Sequence, residues 1–294
     1  MKGIIIYMVG LSIAFMGPSS SFGETDESGP SLPPGKLGGV LIGRGLNADG
    51  FIRLVRLKHR MADWWQDPTA LTGLIEWLQT RTRIRADMRI GDGSLELTDP
   101  RILDAPLIIM TGHDEGVVFQ HNLERDGRNG PPFRLVTSLT PQERRMLRKY
   151  LVERKGTLFF DDCGFKGLFA GRVREELRLT LPEYQIEPIR RTDRIFKIYY
   201  KLPGPPTGGD VFWGSENIKA QSLFPYIRGI KIKGRWAVIY NRKDYMCCME
   251  TVEVPSRTLL ARRRSNDVYR FMTNVIFYVL RYGGNVDRSR YKSR

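Results

Sequence analysis

The chain has 294 residues, of which 41% are apolar and 11% aromatic, enough for one large domain or two modest ones. Its 27% of charged residues excludes a disordered chain, and three cysteines exclude a disulfide-dense scaffold. Lysine and arginine total 47 against 32 aspartate and glutamate residues, which gives a formal net charge of +15.

The first 23 residues have the pattern of a secretory signal peptide. Lys2 precedes a short apolar stretch and then small residues. This stretch is shorter than the roughly 20 residues needed to span a bilayer. We expect cleavage before Glu24 and a periplasmic or secreted mature protein, with an uncleaved N-terminal anchor as the alternative. No later segment predicts a membrane helix.

Three further regions follow. Residues 24–50 are rich in Gly, Pro and Ser and predict a flexible arm. We expect the globular domain to cover 51–284 and a basic tail to cover 285–294.

Strand and helix patterns alternate along the domain. Residues 51–57 alternate apolar and basic side chains, which predicts a strand, and Asp67 with Pro68 predicts the capped start of a helix. Residues 84–90 predict another strand, and the apolar run 107–110 a strand buried on both faces.

The second half continues this alternation. Thr140 and Glu143 form a capping box around Pro141, which predicts a helix that Gly156 stops. The later pattern predicts a strand at 157–160, a helix at 168–179, a hairpin at 229–240 turning at Lys233 and Gly234, and a helix at 266–280. We therefore expect an α/β fold with a mainly parallel sheet.

Polar side chains follow two of the buried strands. His113 follows the strand at 107–110, and Asp161, Asp162 and Cys163 follow the strand at 157–160. Ligands bind beyond the carboxyl ends of strands in such sheets, so these residues are the candidate site.

Several segments resemble the bacterial family named domain of unknown function 4159. They are 63–68 (Asp-Trp-Trp-Gln-Asp-Pro), 111–113, 160–164 and 235–240 with Asp244 and Cys247 after it. The resemblance implies a flavodoxin-like three-layer sandwich, similar to class I glutamine amidotransferases, with an added β-hairpin and without a settled activity. The family usually has a short loop where this chain has residues 116–132, so this segment resembles an insertion.

Amidotransferases of this class use a cysteine nucleophile with a histidine and a glutamate later in the chain. Cys163 follows a strand, but all three histidines (His59, His113 and His121) precede it. Adjacent Asp161 and Asp162 would also raise the pKa of the thiol and disfavour the thiolate. We expect the triad to be incomplete, which leaves a variant Cys163–His113 pair or a buried Cys163 beside a hydrogen-bonded His113.

The sequence indicates no cofactor. His113, His121, Asp161 and Asp162 are metal-ligand types without diagnostic spacing, so no metal site is predicted. In an oxidising compartment Cys163 and Cys247 could form a disulfide bond, which would leave Cys248 single; three reduced and buried cysteines are the alternative.

Positive charge indicates the class of partner. Basic clusters occupy 144–149, 190–194, 262–264 and 288–294. Export argues against nucleic acid and favours an anionic envelope surface or an acidic protein partner. Candidate binding residues are Trp64, Trp65, Asp63 and Asp161. Trp213 is a further aromatic that could line a sugar or partner groove, whereas Trp77 and Trp236 are expected in the core.

Two hypotheses of function follow. The first is an exported, non-catalytic binding or assembly protein of the cell envelope. The second is a hydrolase that acts through Cys163 or Asp162 with His113 at the strand ends.

Overall fold

The computed structural model describes residues 29–91, 93–114, 136–163, 166–209, 224–250 and 259–293, with side chains from 266 onward in the last of these ranges. This part of the chain has an α/β fold with two mixed sheets. Its strands are β1 (Gly39–Arg44), β2 (Asp49–Arg53), β3 (Val55–Lys58), β4 (Ile84–Asp87), β5 (Ser94–Glu96), β6 (Leu107–Gly112), β7 (Thr157–Asp162), β8 (Ile186–Pro188), β9 (Arg228–Ile232), β10 (Arg235–Asn241), β11 (Val286–Asp287) and β12 (Tyr291–Lys292). Its α-helices are α1 (Ala70–Arg81), α2 (Pro141–Arg148), α3 (Leu168–Thr180), α4 (Tyr245–Met249) and α5 (Leu259–Tyr282).

The larger sheet has the strand order β5-β3-β6-β7-β10-β9-β8. The pairings from β5 to β10 are parallel, and β9 and β8 add antiparallel strands at one edge. The sheet is therefore mixed. Because β3, β6, β7 and β10 run in the same direction, their carboxyl ends share one edge of the sheet.

The smaller sheet joins segments from both ends of the described chain. Strand β1 pairs antiparallel with β2 and parallel with β11 and β12, and β2 pairs parallel with β4. Residues 39–44, expected in a flexible arm, and 286–292, expected in a tail, thus belong to the fold. The boundary expected at residue 51 was wrong because Val40 and Leu41 are buried in a strand bordered by glycines.

Alternate side chains of the central strands pack on opposite faces of the larger sheet. Phe159 and Ile239 join the cluster that contains the buried residues of α1 and α5. Leu158, Phe160 and Val238 join the cluster that contains Leu147 of α2 and the buried residues of α3. Both faces are therefore covered, which explains the continuous apolar runs of β6 and β7.

Local signals place several elements correctly. Glu143 N–H donates to Thr140 Oγ1 at 3.2 Å and Thr140 N–H donates to Glu143 Oε2 at 2.6 Å, the predicted capping box. Lys233 and Gly234 have φ of 50° and 78°, as a two-residue hairpin turn requires. None of the described helices combines the length and the apolar character needed to cross a membrane.

Two predicted elements differ. Residues 51–57 form parts of β2 and β3, which lie in different sheets on either side of Leu54. Helix α1 begins at Ala70 after Thr69, and Asp67 does not cap it. Asp67 has a φ of 50°, and its carboxylate turns toward the strand ends instead.

Candidate functional site at the carboxyl ends of the strands

Side chains that follow four parallel strands converge at one edge of the larger sheet. Cys163 follows β7, His113 follows β6, Asp244 lies just beyond β10, and Asp67 lies on the loop between β3 and α1. This is the edge where α/β sheets bind ligands, so the predicted region of the fold holds the candidate site.

The thiol of Cys163 is fully buried between two carboxylates. It donates to Asp244 Oδ1 and lies 3.4 Å from Asp67 Oδ2. Burial raises the pKa of Cys163 well above its usual value, and the charges of Asp244 and Asp67 raise it further. The sulfur is therefore a protonated donor near neutral pH, which is the opposite of an activated nucleophile.

Both carboxylates stand on residues with a left-handed backbone. Asp67 has a φ of 50° and Asp244 a φ of 55°, a conformation that costs a non-glycine residue roughly 1 kcal/mol. Buried Arg56 stabilises the first turn, because its guanidinium donates to the carbonyl of Asp67 at 2.8 Å and to that of Trp64 at 3.2 Å. The backbone thus holds these two acids at the thiol.

The charge of this cluster changes near neutral pH. Burial raises the pKa of Asp67 to about 7, and the carboxylates of Asp244 and Glu250 add to the shift while His113 opposes it. Glu250 itself accepts hydrogen bonds from the hydroxyl and backbone N–H of Thr69, at the start of α1. Asp67 consequently changes charge within the physiological pH range.

Asp161 and Asp162 point to different partners. Asp161 accepts from the backbone N–H groups of Tyr245 at 3.1 Å and Met246 at 2.7 Å, so it caps α4. Asp162 accepts from Nε of Arg242 at 3.1 Å. Burial raises the pKa of Asp162 to about 7, although the charge of Arg242 opposes the shift. Each aspartate therefore has a structural partner at the strand end.

His113 is held by Asp63 and not by the thiol. Its Nδ1 lies 2.9 Å from Asp63 Oδ2, and its backbone N–H donates to Asp63 Oδ1 at 2.7 Å. Burial alone lowers the pKa of His113, but Asp63 outweighs burial and raises it to about 9. In the described chain the thiol's hydrogen-bond partners are Asp67 and Asp244, so a Cys163–His113 pair is not formed.

Gly112 makes the contact between Asp63 and His113 possible. A Cβ at Gly112 would stand 2.4 Å from Cβ of Ala62, the residue before Asp63. The close approach of these two backbones therefore requires glycine at the end of β6.

His59 does not join the cluster. His59 is buried, lies with Nε2 2.9 Å from the carbonyl oxygen of Thr111 and stacks on Phe169. Burial lowers the pKa of His59 to about 4, so its ring is neutral. His121 lies outside the described residues.

The tryptophan pair borders the site. Trp64 and Trp65 are half-buried and pack edge to face, with ring centroids 5.9 Å apart. The Lys58 ammonium lies 5.4 Å from the Trp64 ring centroid. Trp236 is buried as expected, whereas Trp77 is only half-buried and stacks on Tyr269; Trp213 lies outside the described residues.

A comparison with known families matches residues 53–125 and 133–280 to the family described as Domain of unknown function (DUF4159). The chain belongs to this family. The match is interrupted at 126–132, within the loop 116–132 expected as an insertion. A comparison with curated proteins found no match.

Three side chains of this DUF4159 domain have the geometry to share a metal ion. Ligand atoms of Asp67, Cys163 and Asp244 all lie within 4.8 Å of one another. A thiolate with two carboxylates suits Zn²⁺, and binding would require loss of the thiol proton. Of the four candidate ligands from the sequence, His113, Asp161 and Asp162 have separate partners, and His121 lies outside the described residues.

Sequence reasoning missed Asp67 and Asp244 as partners of the thiol in this DUF4159 domain. Both residues lie in the segments that carried the family resemblance, but the expected helix cap gave Asp67 another role. Asp114 was missed as well: its carboxylate accepts from the N–H groups of Gly167 at 2.7 Å and Phe169 at 3.0 Å, at the start of α3. The signal available in the sequence was the position of Asp114, an acidic residue that follows the buried strand β6.

The three cysteines of the DUF4159 domain form no disulfide bond. Cys163 and Cys248 are buried and Cys247 is exposed. The Cys163–Cys247 disulfide considered from the sequence is thus not formed, and the alternative of three buried thiols is wrong for Cys247.

Proposed function

We propose that this protein is an exported, non-catalytic binding or assembly protein of the bacterial cell envelope, built on a three-layer scaffold similar to class I glutamine amidotransferases. The parallel core of the larger sheet, its two covered faces and the position of Cys163 after β7 support the proposed scaffold. The signal-peptide pattern of residues 1–23, which lie outside the described residues, supports export.

The environment of the Cys163 thiol carries the non-catalytic part of the proposal. Nucleophilic catalysis by cysteine needs a thiolate and a base within hydrogen-bond reach. Here Asp67 and Asp244 surround the thiol and raise its pKa, while His113 is protonated and ion-paired with Asp63. In the described part of the chain, the hydrolase alternative through Cys163 therefore lacks both a thiolate and a neutral histidine base beside it.

The alternative through Asp162 has no better support. Its carboxylate is paired with Arg242, and His113 is committed to Asp63. The Asp162 carboxylate and the His113 ring make no contact with each other among the described interactions. We therefore do not propose hydrolysis by Asp162.

The net charge of +15 favours an anionic envelope surface as the partner. The basic cluster at 144–149 contributes less than its sequence indicates, because Arg144 pairs with Glu176 at 2.7 Å and Arg148 with Glu183 at 2.6 Å. The electrostatic attraction to an anionic surface is expected to come from arginines that do not form such ion pairs.

Alkylation of the native protein tests the role of the thiol. Iodoacetamide at pH 7 is expected to leave buried Cys163 unlabelled until the protein is unfolded. The unfolded protein is the control, since labelling of its cysteines shows that the reagent is active. Rapid labelling of Cys163 at pH 7 would contradict a buried, protonated thiol.

Cell fractionation and vesicle binding test the location and the partner. We expect a mature chain that begins at Glu24 in the periplasm or medium, and retention on phosphatidylglycerol vesicles that falls as salt rises. The Cys163→Ser variant is expected to bind vesicles as the wild type does. An uncleaved cytoplasmic chain, or retention that persists unchanged in high salt, would refute the respective part.

A further inference from the structure

A basic cleft lies on the side of β10 that faces α3. Its volume is about 300 Å³, and it opens between the first turns of α3, the strand β9 and the end of β10. The side chains that define its chemistry are three arginines and three aromatic residues, namely Arg174, Arg228, Arg242, Phe224, Tyr226 and Tyr240.

Arg242 is positioned before any ligand arrives. Asp162 accepts from its Nε at 3.1 Å, and its guanidinium carbon lies 4.2 Å from the Phe224 ring centroid. The guanidinium also lies against Gly167, where a Cβ would stand 2.0 Å from a terminal nitrogen. A group fixed in this way loses little conformational freedom when it binds.

The cleft carries an excess of positive charge. Arg174 and Arg228 are exposed at its sides, and Asp162 is the acid paired with Arg242. Among the described residues that line the cleft, three are arginines and none is acidic. The cleft is therefore suited to a ligand with more than one anionic oxygen.

The walls add a rigid apolar surface. The Tyr240 hydroxyl donates to the carbonyl of Ala170 at 2.6 Å, which fixes its buried ring against α3. Tyr226 is 56% exposed at the rim, a large apolar side chain left open to solvent. Arginines beside aromatic faces bind an anion that is attached to a compact organic group.

We infer that this cleft binds the phosphate of a small phosphate ester, an inference that deepens the proposed binding function and rests on it. Guanidinium groups match the oxygens of phosphate with paired hydrogen bonds. The volume is near the lower end of the roughly 300–1,000 Å³ found for ligand pockets, which fits a sugar phosphate or a lipid headgroup. Both sources present the same chemistry to the arginines.

Gly171 offers a way to fill the cleft without disturbing the core. It lines the cleft within α3, and a Cβ there would meet no atom within 4 Å. Gly171→Leu is therefore expected to fold and to occupy the ligand space. Gly171→Ala is its matched control, since a methyl group leaves most of the cleft open and favours the helix.

Arg228 and Arg190 form a second matched pair. Both are exposed, but only Arg228 lines the cleft. Arg228→Gln and Arg190→Gln lower the net charge of the protein by the same amount. A difference between them therefore measures the cleft and not the overall charge.

The full chain is titrated with glucose 1-phosphate and inorganic phosphate by calorimetry and sedimented with phosphatidylglycerol vesicles. We expect saturable binding of at least one probe, about tenfold weaker for Arg228→Gln and lost for Gly171→Leu. Gly171→Ala is expected to bind every probe as the wild type does, and Arg190→Gln is expected to bind the two soluble probes as the wild type does. Circular dichroism melts confirm that each variant is folded. Binding confined to the soluble ester or to vesicles identifies the source of the phosphate.

Three results would overturn the inference: no saturable binding of any probe, an equal loss of soluble-probe binding in Arg228→Gln and Arg190→Gln, or wild-type binding of every probe by folded Gly171→Leu. In the last case the cleft assignment fails while envelope binding stands. If the wild type binds neither vesicles nor soluble esters, the proposed partner fails with it.

Discussion

Replacing Asp63 with asparagine is expected to remove the pH-dependent stabilisation that the Asp63–His113 pair provides. Asp63 is 1% exposed, and its two oxygens accept from the ring Nδ1 and the backbone N–H of His113. Asparagine keeps an oxygen that can accept from the backbone N–H but removes the negative charge. The variant therefore isolates the contribution of the charge.

The size of the effect follows from the pKa of His113. The value rises from 6.5 to about 9 in the folded protein. A difference of about 2.5 pKa units corresponds to about 3 kcal/mol of folding free energy. Because the folded pKa lies above the unfolded one, this stabilisation is complete below pH 6.5 and is lost as the pH rises through 9.

Urea unfolding followed by circular dichroism at several pH values measures this contribution. Asp63→Asn is expected to lower the free energy of unfolding by about 3 kcal/mol near pH 6 and by much less near pH 10. Asp267→Asn is the control, because the surface pair of Asp267 with Arg270 should contribute less than about 1 kcal/mol at either pH.

Two results would refute the reasoning. The first is an equal decrease in the free energy of unfolding for Asp63→Asn at both pH values, which would mean that the effect comes from packing and not from the ion pair. The second is an NMR titration of His113 in the wild type with a midpoint near 6.5, the unshifted value.

Three further variants test separate parts of the structure by urea or thermal unfolding. Asp162→Asn should have the same free energy of unfolding as the wild type near pH 4 and a value up to about 4 kcal/mol higher above pH 8. The reason is that Asp162 has a folded pKa of about 7, so its ionisation opposes folding. Parallel curves of unfolding free energy against pH for the two proteins would contradict this. Gly112→Ala should lower the free energy of unfolding by about 2 kcal/mol or more, because the added methyl group overlaps Ala62. A decrease no larger than that of Gly171→Ala would show that the backbones at Gly112 and Ala62 can move apart. Thr140→Ala should lose about 1 kcal/mol and Thr140→Ser little, and equal losses in the two variants would argue against the capping hydrogen bond.

Elements with local signals were predictable from the sequence. The capping box at Thr140 and the turn at Lys233 and Gly234 depend on neighbouring residues, and both were confirmed. Strand β1 was not predictable in this way, because its partners near Val286 and Tyr291 lie far along the chain. Considered without these partners, the glycines of this segment indicated a flexible arm.

The structure brings the strand-end candidates to one edge of the sheet, but their contacts were not predicted. The strand-end rule placed Cys163 and His113 at one edge, since buried apolar runs mark parallel strands. The partners of the thiol, Asp67 and Asp244, come from loops with left-handed backbones, which hydrophobic periodicity cannot indicate. Likewise, nothing in the spacing of Asp63 and His113 predicts an ion pair that depends on glycine at 112.

Strand β1 bonds on one side to β2, its near neighbour in sequence, and on the other to β11 and β12. As the chain emerges from its N-terminal end, the first pairing can form early, whereas the other edge of β1 keeps unbonded peptide groups until Tyr291 has emerged. Through that interval the edge is open to any other extended peptide. The order of emergence thus makes the smaller sheet the last part of this fold to close.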